Sequence, residues 1–134
     1  SEAPLWASNQ TLAVHCLNLR MSAVAGAAPE TGEMLNVLKY ERGQEFRPHF
    51  DFFDNVKMVP DYAQSGQRVR TLLTYLNDDF EGGPTHFLAI DFKYRGRQGD
   101  AVLFFNTDEA GTPDRHTLHS GMPVDQGVKW LASK

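Results

Sequence analysis

His49-Phe50-Asp51, answered far down the chain by His119 and then by Lys129, contains the residue types that chelation requires. Two imidazoles and one carboxylate suit a non-haem Fe(II) centre that keeps coordination positions open for a co-substrate and O₂. The spacing matters as much as the types. Residues i and i+2 of a β-strand share a face, so His49 and Asp51 can reach one ion while Phe50 turns into the opposite layer. The third ligand must then come from a distant strand. Sequence alone offers two histidines for that place, because His116 lies three residues before His119, although it sits in the polar run Asp114-Arg115-His116. His86 follows Thr85 and points away from it, so a supporting or structural role is expected. His15 and Cys16 are helical neighbours that diverge by about 100°, which makes them a poor metal pair.

An H-x-D pair on a strand is by itself more often a surface pair or a hydrogen-bonded, half-buried couple than a metal site, so the surroundings must decide. The 134 residues, 41% of them hydrophobic, can bury a core of the size usual for one domain. Residues 1–134 therefore read as a single catalytic domain, and because Ser1 is not an initiator Met, trimming at both ends is allowed for. A formal net charge of −4 gives no reason to expect nucleic acid, and the basic run Lys93-Tyr94-Arg95-Gly96-Arg97 reads as a solvated turn. The lone Cys16 cannot form an internal disulfide and reads as a small core residue on a helix. No apolar run reaches membrane-spanning length and no leader pattern opens the chain, so the expectation is no membrane partner and a cytoplasmic location.

The elements that must position the ligands are a helix followed by strand after strand. Gln10 to Ala25 carries Leu12, Cys16, Leu19 and Met21 at helical spacing, with Leu17 and Val24 beside them, until Gly26 and Pro29 stop it. Short segments rich in β-branched and aromatic residues follow: Met34–Tyr40, Phe46–Phe53, Val69–Leu76, Thr85–Ile90, Ala101–Phe105, Thr117–His119 and Val128–Leu131. Turn chemistry bounds them at Arg42-Gly43, Glu81-Gly82-Gly83, Arg97-Gln98-Gly99, Gly111-Thr112-Pro113 and Asp125-Gln126-Gly127. Such a series predicts a mainly β sandwich or jelly roll with one flanking helix. The irregular stretch Asp54–Gln67 is long enough to be functional, and it is expected to border the mouth of the site.

Four blocks in order resemble prolyl 4-hydroxylase-type 2-oxoglutarate/Fe(II) dioxygenases. Tyr40 to Asp51 resembles the family's Y-x-x-G-Q-x-[YF]-x-x-H-x-D, and Gln67-Arg68 to Leu76-Asn77 its Q-R-x-x-T-x-x-x-Y-L-N strand. Glu81-Gly82-Gly83-Pro84-Thr85 resembles E-G-G-x-T, and His119 to Trp130 resembles H-x-G-x-P-V-x-x-G-x-K-W. The similarity spans about residues 30 to 134. It implies a double-stranded β-helix, with His49, Asp51 and His119 as iron ligands and Lys129 on the distal carboxylate of 2-oxoglutarate. It further implies Tyr40 and Thr85 as hydroxyl partners of 2-oxoglutarate and Arg68 as a peptide-binding residue. A dicarboxylate entering a partly buried pocket needs its remote charge paired, and a lysine offers a compact cation with three donors.

The implied activity is hydroxylation of a C–H bond, most simply of a peptidyl proline, with release of succinate and CO₂ and with ascorbate as an accessory. Asp51 separates the chain from halogenating relatives, which replace the carboxylate ligand with a small residue. Phe46 stands where several peptidyl-proline hydroxylases carry a tyrosine, so a free amino acid or other small molecule stays open as substrate. A non-catalytic jelly-roll binding module and a Zn hydrolase on the same three ligands are the rivals. The intact ligand set with Lys129 argues against the module, and no residue presents itself as the general base that a hydrolase needs. Oligomeric state is left open.

Overall fold

Alternation along the strands sorts the chain into two layers and a helical cover. The computed structural model describes residues 1–5, 11–55 and 66–134. In chain order it contains β1 (Glu2–Leu5), α1 (Leu12–Ala25), β2 (Leu35–Tyr40), β3 (Phe46–His49), β4 (Arg70–Tyr75) and β5 (Glu81–Gly82). These are followed by β6 (Thr85–Phe87), β7 (Phe92–Tyr94), β8 (Ala101–Phe105), β9 (His119–Gly121), β10 (Val124–Gln126) and β11 (Lys129–Ser133). One sheet runs β1-β2-β11-β4-β8, a second runs β3-β9-β6-β7, and β10 pairs with β5 as a two-stranded ribbon. Every pairing between these strands is antiparallel.

The period of two assigns each face of the larger sheet. Leu72 of β4, Leu35 of β2 and Ala132 of β11 pack with Met21 of α1 on one side. Tyr75, Tyr40 and Leu131 from the same three strands point the other way and pack with Phe80 and Val124. Leu73 joins Phe87 of the smaller sheet and Phe104. The inward positions at the ends of β2, β4 and β11 are therefore Tyr40, Tyr75 and Lys129, all from the resemblance's motifs.

The helix forms where expected and docks on a different stripe. Thr11 caps its start by accepting from the Val14 amide at 3.4 Å, and Gly26 ends it in the left-handed region at φ 64°. The Arg70 guanidinium donates to the Ala25 carbonyl, so β4 supplies a cation at the C-terminal end. Met21 is buried, with Val14 and Leu17 packed against its cluster, whereas Leu12, Leu19 and Val24 are exposed, as is Cys16. Cys16 is thus not a core residue. Apolar residues surround most of this helix, so its period does not choose the buried face; the outward side chains of β2, β4 and β11 do.

Several strand limits shift. The segment expected over Phe46–Phe53 stops at His49 and the chain bends through residues 50–52. Pro48 lacks an N–H, and the pairing of β3 with β9 is irregular between Phe46 and His49, as befits an edge strand. The Thr85–Ile90 segment becomes β6 followed by a 3₁₀ turn over Leu88–Ile90, and Thr117 closes another 3₁₀ turn, Arg115–Thr117, before β9 begins. Lys93 and Tyr94 belong to β7 rather than a solvated turn, and Asp125 and Gln126 lie in β10. The central part of the 54–67 stretch lies outside the described residues.

Met21→Ala is expected to lower unfolding free energy by about 2–5 kcal/mol in urea titration, because it empties the seam between α1 and the sheet. Leu12→Ala, on a side chain 79% exposed, is expected to change it by less than about 0.5 kcal/mol.

Candidate metal and carboxylate site

Antiparallel pairing of β3 with β9 sets His49 directly opposite His119. Their side chains therefore leave the smaller sheet on the same face, with ring centroids 4.4 Å apart. Asp51 completes the group from the bend after β3, not from the strand itself, so the i, i+2 strand geometry is replaced by a turn that brings the carboxylate back between the rings. Its Oδ1 lies 3.4 Å from His49 Nε2 and its Oδ2 lies 3.9 Å from His119 Nε2. One ligand atom from each residue falls within a 4.8 Å cluster. His119 is 4% exposed and walled by the rings of Phe87 and Phe104, and Phe46 stacks edge-on against His49 at 4.2 Å. His116 points elsewhere and pairs with Asp114 at 2.8 Å on the surface. His86 lies away from the cluster and pairs with Asp91 at 3.0 Å.

Backbone carbonyls choose the tautomers. His49 Nδ1 sits 2.7 Å from the Arg47 carbonyl and His119 Nδ1 sits 2.9 Å from the Thr117 carbonyl. A carbonyl oxygen only accepts, so each Nδ1 carries the proton and each Nε2 presents a lone pair toward Asp51. Burial pushes the His119 pKa down against the pull of Asp51, which favours the neutral ligand form. Burial acts the same way on His49, but in the protonated ring Nε2 donates to Asp51 and Nδ1 to the Arg47 carbonyl, which outweighs burial and raises the pKa; a metal would take the place of the Nε2 proton. Burial works to raise the Asp51 pKa and is overcome by hydrogen bonds from His49 and Thr71 together with the His119 charge, which leaves the carboxyl below its ordinary value. Two outward lone pairs and an ionised carboxylate are a donor set that fits a divalent transition metal.

Lys129 occupies the inner end of β11, opposite Tyr40 of β2, and is only 1% exposed. Its Nζ donates to the Gly83 carbonyl at 2.7 Å and lies 5.3 and 5.4 Å from the ring centroids of Tyr40 and Tyr75. It forms no ion pair with a carboxylate among the described residues, and burial pushes its pKa down to about 8. One donor is used on Gly83, and the buried cation lacks an anion. Gly83 has φ 59°, and a Cβ there would stand 3.0 Å from Val124, so a glycine serves both the turn and the close packing against β10.

Thr85 is 2% exposed and its Oγ1 lies 3.1 Å from the Tyr75 hydroxyl. Tyr75 donates to the Tyr94 carbonyl at 2.9 Å, so Thr85 donates to Tyr75. Tyr40 is 8% exposed, and burial, reinforced by Glu2 and Asp51, pushes its pKa to about 12, which keeps its hydroxyl a donor. Arg68 lies at the rim: Nε and Nη2 donate to the two oxygens of Glu33 at 2.5 and 2.9 Å, and the guanidinium stacks 4.9 Å from Phe53. Sequence reasoning did not single out Tyr75, Thr71 or Gly83. A usable signal existed, because Thr71 and Tyr75 share the inward face of the strand T-x-x-x-Y through its period of two.

Lys129→Met is expected to stabilise the ligand-free fold at pH 7. The folded-state pKa is depressed from 10.5 to about 8, so the unfolded chain binds the extra proton between those values. The penalty of the charged form is complete below pH 8 and is relieved as pH rises towards 10.5. At 1.36 kcal/mol per pKa unit the gain at pH 7 is about 3 kcal/mol, and urea titrations at pH 7 and pH 10 should show it shrinking at the higher pH.

The family model described as the 2OG-Fe(II) oxygenase superfamily matches residues 35–134. Among curated relatives, probable prolyl 4-hydroxylase 9 of Arabidopsis thaliana is 37% identical over 118 residues, covering 77% of this chain and 40% of that protein. Prolyl 4-hydroxylase 1 of the same plant is 35% identical over 134 residues, covering 90% of this chain and 46% of that one. The chain thus spans less than half the length of these relatives. The viral collagen prolyl hydroxylase of Paramecium Bursaria Chlorella virus-1, solved as a 2OG complex, superposes with a TM-score of 0.80 at 23% identity. That superposition covers 99% of this chain and 76% of the viral chain, and establishes the shared fold, a jelly roll of the double-stranded β-helix type. With three-quarters of its length, from β2 to the last residue, matching one family model, the chain belongs to the 2OG-Fe(II) oxygenase superfamily.

Proposed function

We propose that this chain forms the catalytic core of a hydroxylase that uses Fe(II), 2-oxoglutarate and O₂ on a peptidyl proline. The observation that carries the proposal is the pairing of a convergent His49/Asp51/His119 cluster with a buried Lys129 ammonium that has no carboxylate partner among the described residues. When bound, the metal and 2-oxoglutarate supply O₂ activation coupled to decarboxylation, in which one oxygen atom goes into succinate and the other into the substrate C–H bond, with loss of CO₂.

The protein's own groups divide the remaining work. His49 Nε2, His119 Nε2 and Asp51 hold the metal, while the carbonyls of Arg47 and Thr117 keep both rings in the ligating tautomer. Lys129 pairs with the distal carboxylate of 2-oxoglutarate, Tyr40 donates to the same molecule, and Thr85 would reach it by turning its one hydroxyl proton from Tyr75 to the ligand. Tyr75 keeps Thr85 in place. Phe87 and Phe104 shield the His119 imidazole from water, whereas His49, packed edge-on against Phe46, stays partly open to solvent.

Support for a peptide substrate comes from the rim and from the relatives named as prolyl 4-hydroxylases. An open cavity of about 330 Å³ is lined by Tyr40 and Phe46 together with Leu38, Gln44, Glu45, Glu2 and Ser1. Aromatic faces at Phe46 and Phe53 suit the extended, proline-rich backbone, whose rings stack well on such surfaces. Arg68, held by Glu33 over Phe53, would donate to a peptide carbonyl through an N–H that Glu33 does not take.

His49→Ala, Asp51→Ala and His119→Ala are each expected to abolish succinate formation while keeping the fold, whereas His116→Ala should retain activity; a dead His116 variant beside an active His119 variant would reverse the ligand assignment. Proline-rich peptides incubated with the protein, Fe(II) and 2-oxoglutarate are expected to gain one oxygen atom by mass spectrometry. Free proline turning over as well as any peptide would instead point to a small-molecule substrate.

A further inference from the structure

Asp51 spends its two carboxylate oxygens differently, and the difference traces back to a buried asparagine outside the ligand set. Oδ2 accepts a 2.7 Å hydrogen bond from Thr71 Oγ1, on the inward face of β4. An ionised carboxylate only accepts, so the single Thr71 proton is committed to it. The Thr71 oxygen in turn lies 2.9 Å from Asn106 Nδ2, just past the end of β8. Thr71 is 6% exposed and Asn106 is fully buried.

The polarity of this chain of bonds has one solution. Were the Asn106 amide reversed, its carbonyl oxygen would face a hydroxyl whose proton is already given away. The proton order is therefore Asn106 to Thr71 to Asp51, and the Asn106 Oδ1 is left buried with no hydrogen-bond partner among the described residues. The fold alone does not call for that arrangement, because an apolar side chain of the same size would satisfy the core without an orphan acceptor. The Asn106 backbone is held on both sides: its N–H donates to the Val69 carbonyl at 2.9 Å, and its carbonyl accepts from the Asp114 N–H at 2.8 Å. Asp114 opens the turn that ends at Thr117, whose carbonyl orients His119. Asn106 thus braces two of the three candidate ligands, one through its side chain and one through its main chain.

We infer that Asn106 and Thr71 form a positioning relay that ties Oδ2 of Asp51 to the protein and biases the carboxylate towards ligating the metal through Oδ1 alone. A carboxylate that chelated through both oxygens would occupy one more coordination position, in a site that must keep room for a chelating co-substrate and O₂. The relay sets coordination number, and its two members touch neither substrate nor metal. The inference rests on the reading that His49, Asp51 and His119 hold a metal.

Co(II) titration of the whole chain separates the two, because the ligand-field absorption of Co(II) reports coordination number without any turnover. Wild-type protein should bind Co(II) and Asp51→Ala should not; failure of the wild type to bind overturns the metal-site reading and this inference with it. Thr71→Val, which keeps shape and removes the hydroxyl, is expected to change the Co(II) spectrum and weaken affinity about tenfold or more. Thr71→Ser should restore both. Asn106→Leu should move the spectrum in the same direction while the metal-free melting temperature holds or rises, and the double variant should lose no more affinity than Thr71→Val alone, since the two act in series. A wild-type spectrum and affinity in Thr71→Val, or an equal defect in Thr71→Ser, overturns the relay. If Thr71→Val does not fold, Asn106→Leu decides: a wild-type spectrum overturns the relay and a shifted one supports it.

Discussion

The placement of one carboxylate organises the inner layer. Asp51 leaves the smaller sheet at the end of β3, meets two imidazoles of that sheet, and is held from the opposite side by Thr71 of the larger sheet. An ionised group this enclosed persists only where hydrogen bonds and opposite charge replace its lost water, and each of those partners comes from a different strand. The polar contacts around Asp51 therefore join the two sheets as well as preparing a ligand. The same charge reaches Tyr40, whose hydroxyl it helps hold in the protonated form next to Lys129.

Lys129 is the counterpart of Asp51 and is handled in the opposite way. Asp51 is surrounded by donors, whereas Lys129 has a carbonyl and two aromatic rings but no carboxylate among the described residues. Burial of an unpaired ammonium lowers stability, and a protein under selection for stability alone would replace it with an apolar side chain. Its retention at the inner end of β11 makes sense if a dicarboxylate completes the pair. The E-G-G turn serves this lysine directly, since Gly83 supplies the carbonyl that aims Nζ.

The rim follows a third pattern, in which charges are paired on the protein rather than left waiting. Arg68 is fixed by Glu33, and Arg115 pairs with Asp54 at 3.0 Å while lying over Phe50. Arg68, stacked at the same time on Phe53, has little freedom left, so a ligand would meet a preformed surface there.

Residue types, spacing and local chemistry were legible from the chain. The H-x-D pair, the glycine pair before Thr85, the period of two along β4 and β11, and the ordered motifs together led to the fold, the ligand candidates and the lysine, because each is written within a few consecutive residues. What the chain could not show was which distant groups would meet. His119 was preferred to His116 on motif spacing, but only the β3–β9 register sets it opposite His49. Asp51 was placed on a strand by its spacing, yet the edge position of β3 and the Pro48 interruption end that strand at His49. The helix carries apolar residues on most sides, so its buried stripe was settled by the sheet beneath it, and Cys16 went to solvent. Thr71 and Asn106 looked like ordinary strand and loop residues until β4 and β8 paired and carried them beneath Asp51. Periodicity and turn preference are properties of short stretches, whereas register, burial and shared hydrogen bonds depend on surfaces that exist only after the layers have packed.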